Sequence, residues 1–152
     1  MQKITPFLWF DDNAEAAIQF YTSVFKNAKI LNTKRTGDNG KLFTATIEIE
    51  GQQLMVLNGG PHFKMNPAIS LFVDCKSQEE VNELWGKLSD GGEIMQCGWL
   101  TDKFGLTWQI IPSELGKLLN DPDPQKAQRV MDAMLKMKKI EISELKAAYE
   151  QQ

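Results

Sequence analysis

The sequence predicts an α+β protein: two tandem βαβββ modules followed by a helical extension. Three observations lead there. Apolar residues alternate with period two in some stretches and recur at helical spacing in others, in the order strand, helix, strand, strand, strand. That order restarts after a connector at 59–67 that holds two prolines and two glycines. Beyond Pro112 the amphipathic stretches have helical spacing. The modules accordingly span 1–60 and 61–112, and 113–152 is a helical extension of the same domain.

The first strand is expected from Lys3 to Phe10, with Leu8 and Phe10 on one side and Phe7 and Trp9 on the other. Asp11, Asp12 and Asn13 offer N-cap oxygens to a helix whose stripe is Ala14, Ala17, Ile18, Tyr21 and Phe25. Lys26-Asn27 ends it. A strand follows at Ile30 to Arg35, then the hairpin signal Gly37-Asp38-Asn39-Gly40. The next strand sets Phe43, Ala45, Ile47 and Ile49 against Thr44, Thr46, Glu48 and Glu50. After Gly51-Gln52 the module closes with Leu54 to Asn58.

The second module opens with a strand at Ala68 to Asp74. Ser77-Gln78-Glu79-Glu80 reads as a capping box before a helix with the stripe Val81, Leu84, Trp85, Leu88, stopped at Gly91-Gly92. Gln96 to Pro112 then holds two strands around a turn at Asp102 to Gly105. The second sets Leu106, Trp108 and Ile110 against Thr107, Gln109 and Ile111. The halves overlay at an offset of about 64 residues through the helices and about 54 at the closing strands, where Gly51 meets Gly105 and Met55 meets Gln109. In the extension, Ser113 is expected to cap a short helix, Pro124 to begin a second with the stripe Ala127, Val130, Met131, Met134, and Ser143 to open a third bearing Leu145, Ala148 and Tyr149. This tail buries its stripe against its own sheet or against a second subunit.

With 42% hydrophobic and 24% charged residues and a net charge of -3, the chain has the composition of a soluble globular protein and no basic field for nucleic acid. Lys136, Lys138 and Lys139 read as a solvated helix end. No apolar run approaches the roughly 20 residues a membrane helix needs. The N-terminus enters a strand pattern without a signal-peptide apolar region, and two isolated cysteines, Cys75 and Cys97, make no disulfide framework. A cytoplasmic protein is expected, without nucleic-acid or membrane partners.

A single histidine, His62, leaves no two-His metal site and no dyad that needs a second imidazole. Gly59-Gly60 is followed by Pro61-His62-Phe63 and not by a helix N-terminus, so it does not read as a phosphate loop. Nothing local activates Cys97 as a nucleophile. Trp9 and Trp99 have polar neighbours and are favoured over Trp108 as cleft residues.

Ile4-Thr5-Pro6-Phe7-Leu8-Trp9-Phe10-Asp11, Leu57-Asn58-Gly59-Gly60-Pro61, Asn66-Pro67-Ala68-Ile69-Ser70 and Gln96-Cys97-Gly98-Trp99-Leu100 resemble the PhnB-like family, also labelled 3-demethylubiquinone-9 3-methyltransferase-like. That family sits in the glyoxalase, bleomycin-resistance and dioxygenase (vicinal oxygen chelate) superfamily. The resemblance spans nearly the whole chain, including the tail from Asp121 to Met137. It implies curved mixed sheets from tandem βαβββ modules. It also implies four ligand positions on strands one and four of each module, which fall here on Thr5 or its neighbour, Met55, Ala68 or its neighbour, and Gln109. Only Gln109 is a plausible oxygen ligand among them, so the resemblance carries the fold and a cleft but no metal site and no cofactor.

The expected function is binding of a small organic ligand in a cleft lined by Phe7, Trp9, Asn58, Trp99 and Gln109, in a homodimer. The competing reading is a lyase, isomerase or dioxygenase-like enzyme that draws on His62 or Asp102 for proton transfer, with a weakly held divalent metal. Methyl transfer is disfavoured, because no Gly-rich strand-to-helix loop or larger parallel sheet is present to hold its nucleotide-like donor. A third reading makes the Met-rich tail a docking element for another protein.

Overall fold

The computed structural model describes residues 2–38 and 40–151. Met1, Gln152 and Asn39 of the expected hairpin turn lie outside the described residues. The chain divides into two compact units, Met1–Asn66 and Pro67–Gln152.

In unit one the order is β1 (Phe7–Phe10), α1 (Ala14–Val24), β2 (Ala28–Thr36), β3 (Lys41–Ile49) and β4 (Gln52–Asn58). The sheet order is β1-β4-β3-β2, with β1 parallel to β4 and the other pairs antiparallel. Helix α1 buries Ala14, Ala17, Ile18, Tyr21 and Val24, and the sheet buries Leu8, Phe10, Ala45, Ile47, Leu54 and Val56. The alternation places these strand residues on one face.

Three local expectations change here. β1 starts at Phe7, not Lys3, because Pro6 has no amide hydrogen to give a ladder; only its carbonyl pairs, accepting from Met55 N. No side-chain oxygen of Asn13 caps α1; the amide of Ala14 donates instead to Asn58 Oδ1 on β4, at 2.9 Å. The expected core position Phe43 is 41% exposed, while Leu42 is buried. The register steps from Lys34↔Thr44 to Arg35↔Leu42, so Phe43 is the extra residue of a bulge, and the inward phase shifts by one beyond it.

In unit two the order is β5 (Ser70–Cys75), α2 (Gln78–Ser89), β6 (Glu93–Ile94), β7 (Trp99–Thr101), β8 (Thr107–Pro112), α3 (Ser113–Leu119), α4 (Pro124–Leu135) and α5 (Ile142–Glu150). Its sheet order, β5-β8-β7-β6, repeats that of unit one, again with the first strand parallel to the last. The two-residue β6 precedes the stretch in which the closing strands were expected. Ser77 caps α2 through Glu80 N, but the reciprocal carboxylate reaches Lys76 N, one residue earlier than a capping box has it. Val81, Leu84, Trp85 and Leu88 are buried as their spacing predicts.

The tail buries its stripe within its own unit. Ile111 of β8 packs with Leu115, Leu118, Val130, Met137, Ile140 and Leu145. Backbone bonds from Cys97 N to Met137 O (2.8 Å) and from Gly98 N to Lys138 O (2.7 Å) hold it down. Gly98 has φ +82, and a Cβ there would lie 2.7 Å from Ile111 Cδ1, so a glycine is needed at this crossing. Asp123 caps α4 and Pro124 is its first residue, as predicted. Ser113 and Ser143 do not cap. The Ser113 hydroxyl donates to Asp74 Oδ1, and the first amide of α5, Ile142 N, donates to Gln78 Oε1. Among the described residues no helix is long and apolar enough to cross a membrane.

Candidate functional site

Each unit covers one face of its sheet with a helix and, among the described residues, leaves the other face free of helix over most of its length. In unit one the helix-free face carries Phe7 beside Met55 and Trp9 beside Leu57, continuing onto Thr46 and Thr44 of β3. Phe7 is 49% exposed, and Trp9, Met55 and Leu57 are half-buried.

Trp9 is held by the connector. Its indole Nε1 donates to Gly60 O at 2.8 Å, and its ring meets Phe63 edge to face with centroids 5.0 Å apart. Gly59 lies so close that a Cβ would sit 2.5 Å from the indole Cε2. Gly59 N and Gly60 N donate to Phe10 O and Asp11 O, fixing the connector to the end of β1. The polar hydrogen of Trp9 is therefore engaged within the protein. His62 is exposed in the same connector, and among the described residues no hydrogen bond or ion pair engages its ring.

Asn58 points the other way. Its register partner is Phe10, on the α1 side, and its amide is used at both ends: Oδ1 accepts from Ala14 N and Nδ2 donates to Leu42 O at 3.0 Å. The structure thus separates it from the phase of Phe7 and Trp9.

In unit two, Phe72, Gln109 and Trp99 form one row across β5, β8 and β7, each the register partner of the next. Gln109 Nε2 donates to Ser70 Oγ at 2.9 Å. Beside this row the Thr101 and Thr107 hydroxyls lie 3.0 Å apart. Asp102 belongs to the opposite side. The residue is 3% exposed, and its carboxylate accepts from Phe104 N, Leu106 N and Trp108 Nε1, so it staples the β7–β8 turn to the buried Trp108.

Phe7, Trp9 and Asn58 thus lie in unit one, and Trp99 and Gln109 in unit two. Sequence reading did not pick out Phe63, Ser70 or Phe72. Phe72 stands to Gln109 as Phe7 stands to Met55, so the internal repeat was the signal that could have found it.

Neither thiol is an evident nucleophile. Burial, with Glu80 and Asp74 nearby, pushes Cys75 up to about 12. Cys97 is half-buried with φ +58. Among the described residues no group of three or more His, Cys, Asp or Glu is placed to hold a metal ion. The positions that the resemblance implies for superfamily ligands are Thr5 or its neighbour, Met55, Ala68 or its neighbour, and Gln109; none of these, nor Ile4, Pro6, Pro67 or Ile69, is a carboxylate or an imidazole. Such a set does not fit a divalent cation that wants several oxygen or nitrogen donors.

A family model described as 3-demethylubiquinone-9 3-methyltransferase matches residues 2–111. The match stops short of α3–α5, so the Asp121–Met137 tail falls outside it. Among solved structures, the chain is similar to a PhnB protein from Bacillus cereus, at 35% identity and TM-score 0.70, over 74% of this chain and 100% of that one. It is similar in fold to protein PA1353 from Pseudomonas aeruginosa, at 19% identity and TM-score 0.61, over 74% and 98% of the two chains. The fosfomycin resistance protein FosX from Listeria monocytogenes, complexed with Mn(II) and sulfate ion, shares the fold at 13% identity and TM-score 0.50, over 71% and 87%. No curated protein matches the sequence.

Proposed function

The chain belongs to the 3-demethylubiquinone-9 3-methyltransferase (PhnB-like) family of the glyoxalase, or vicinal oxygen chelate, superfamily, and from that premise we propose that it binds a small organic molecule without a tightly held metal. The observation that carries this reading is the composition of the helix-free sheet faces. They present Phe7 and Trp9 in one unit and Phe72, Trp99 and Gln109 in the other, with an amide where a metal ligand would be. Aromatic walls with few polar anchors suit an organic ligand. Asn58 enters as a positioning residue and not as a contact.

Methyl transfer is not part of this reading. The strand-to-helix junctions, Asp11-Asp12-Asn13 and Lys76-Ser77, hold no glycine, and each four-stranded sheet has a single parallel pair. A nucleotide-like donor is usually held by a Gly-rich turn on a parallel sheet.

We also propose that the protein works as a homodimer, since Ile4, Phe7, Ile30, Leu31 and Phe43 leave much apolar surface exposed on unit one. Sedimentation as a monomer at micromolar concentration would contradict the dimer.

The binding reading is tested on protein as isolated, by native mass spectrometry alongside elemental analysis. A co-purifying organic mass that a chelator does not remove, reduced in Trp9→Ala and unchanged in His62→Ala, is the expected result. A stoichiometric metal whose removal abolishes binding would overturn it.

A further inference from the structure

We infer that Gln109 is a specificity residue that accepts a hydrogen bond from an N–H or O–H group on a flat, unsaturated ligand. This rests on the binding function proposed above and names the chemistry that unit two's part of the surface would select.

The open acceptor is Oε1. Gln109 Nε2 donates one of its two hydrogens to Ser70 Oγ, and among the described residues no protein donor reaches Oε1. Gln109 is half-buried, and a ligand that covers its Oε1 must satisfy this open acceptor, or the burial costs free energy.

The neighbours set the shape. Phe72, 60% exposed, and Trp99, half-buried, flank Gln109 in register on the two adjacent strands. Strand spacing puts each about 4.8 Å away across the sheet. An aromatic side chain on both sides favours a ring over a flexible chain.

The opening is short along β8. On one side of Gln109, Thr107 is buried, with its hydroxyl against that of Thr101. On the other, Ile111 is buried in the core formed with the tail. Residues beyond the family match therefore close one end of the face, and only Gln109 presents a half-open polar group on this part of β8.

The test uses the full chain and a matched pair of probes, 2-naphthol and 2-methoxynaphthalene, which differ in whether the oxygen can donate. Calorimetric dissociation constants are expected to favour 2-naphthol about tenfold, the scale of one hydrogen bond. In Gln109→Leu that preference disappears while binding of the methoxy compound is unchanged. In Gln109→Glu, which still accepts, the preference remains. Should the leucine variant fail to fold, Gln109→Met has a similar shape without the acceptor and carries the same expectation. Equal affinity of the two probes for the unmodified protein, or a preference that persists without Gln109, overturns the inference and leaves the binding function standing. Failure of both probes to bind overturns the aromatic-site reading itself, and this inference with it.

Discussion

Asn58 Oδ1 accepts the amide hydrogen of Ala14 at 2.9 Å, so the first turn of α1 is capped from β4 and not from the residues that precede it. The same side chain donates to Leu42 O on β3. One amide thus ties a helix start to two strands, beside the junction where the connector leaves for Trp9.

Asn58→Ala removes the cap and leaves Leu42 O without that donor. The expected loss is about 1–2 kcal/mol in urea denaturation. Asn58→Asp keeps the acceptor and places negative charge at a helix N-terminus, so it should lose less. Equal losses in the two variants would show that the Leu42 bond, and not the cap, is what matters.

Gly59→Ala puts a methyl group 2.5 Å from the Trp9 ring. The indole must shift, and its bond to Gly60 O weakens. Destabilisation of about 1–3 kcal/mol is expected from overpacking. A changed near-ultraviolet circular dichroism signal, absent in a Trp9→Phe background, would locate the effect. An unchanged spectrum would mean that the connector absorbs the methyl instead.

Asp102→Asn keeps the size of the side chain but replaces one accepting oxygen with a donor. Three N–H groups then compete for one oxygen, and a donor faces either Trp108 Nε1 or the backbone amides. A cost of about 1–3 kcal/mol follows from a buried unsatisfied donor. Because the residue serves the turn, the effect should appear in stability and in Trp108 fluorescence, with ligand affinity changed little.

Cys75 supplies a pH dependence. Burial raises its thiol from the ordinary 9.0 to about 12, so the unfolded chain gives up this proton first. Above pH 9 the native state binds more protons than the unfolded state, and its stability falls as pH rises. The slope from this one group approaches about 1.4 kcal/mol per pH unit between the two values. Cys75→Ala should show a shallower decline between pH 9 and 11 than the unmodified chain; parallel curves would rule out the thiol as the source.

Gln78 spans α2 and α5, donating to Ile140 O and accepting from Ile142 N. Gln78→Ala should free the start of α5 and raise proteolytic cleavage near residues 139–143, at a global cost of about 1–2 kcal/mol. Cleavage at the native rate would indicate that Ile140 and Leu145 hold the helix by packing alone.

Much of this architecture was legible without coordinates. The stripe Val81, Leu84, Trp85, Leu88 and the alternation Ala45, Ile47, Ile49 each record, within a few residues, which side faces a core. The repeat of those patterns predicted two sheets of like topology, and both have the same order. Pro124 behind Asp123 marked the start of α4 for a reason as local as the missing proline amide hydrogen.

The sequence by itself therefore determined the main elements, their order, most of their buried faces and the family, because each depends on periodicity or on motifs within a short stretch. Only the tertiary structure decided that Asn58 and Gln78 cap helices remote in sequence, that Phe43 is extruded by a bulge, that the tail packs on Ile111, and that Phe72 and Trp99 flank Gln109. The physical reason is common to all of these. A side-chain amide, an extra strand residue or an apolar stripe is compatible with several partners. Which one it meets depends on strand register and on the neighbours that folding brings beside it.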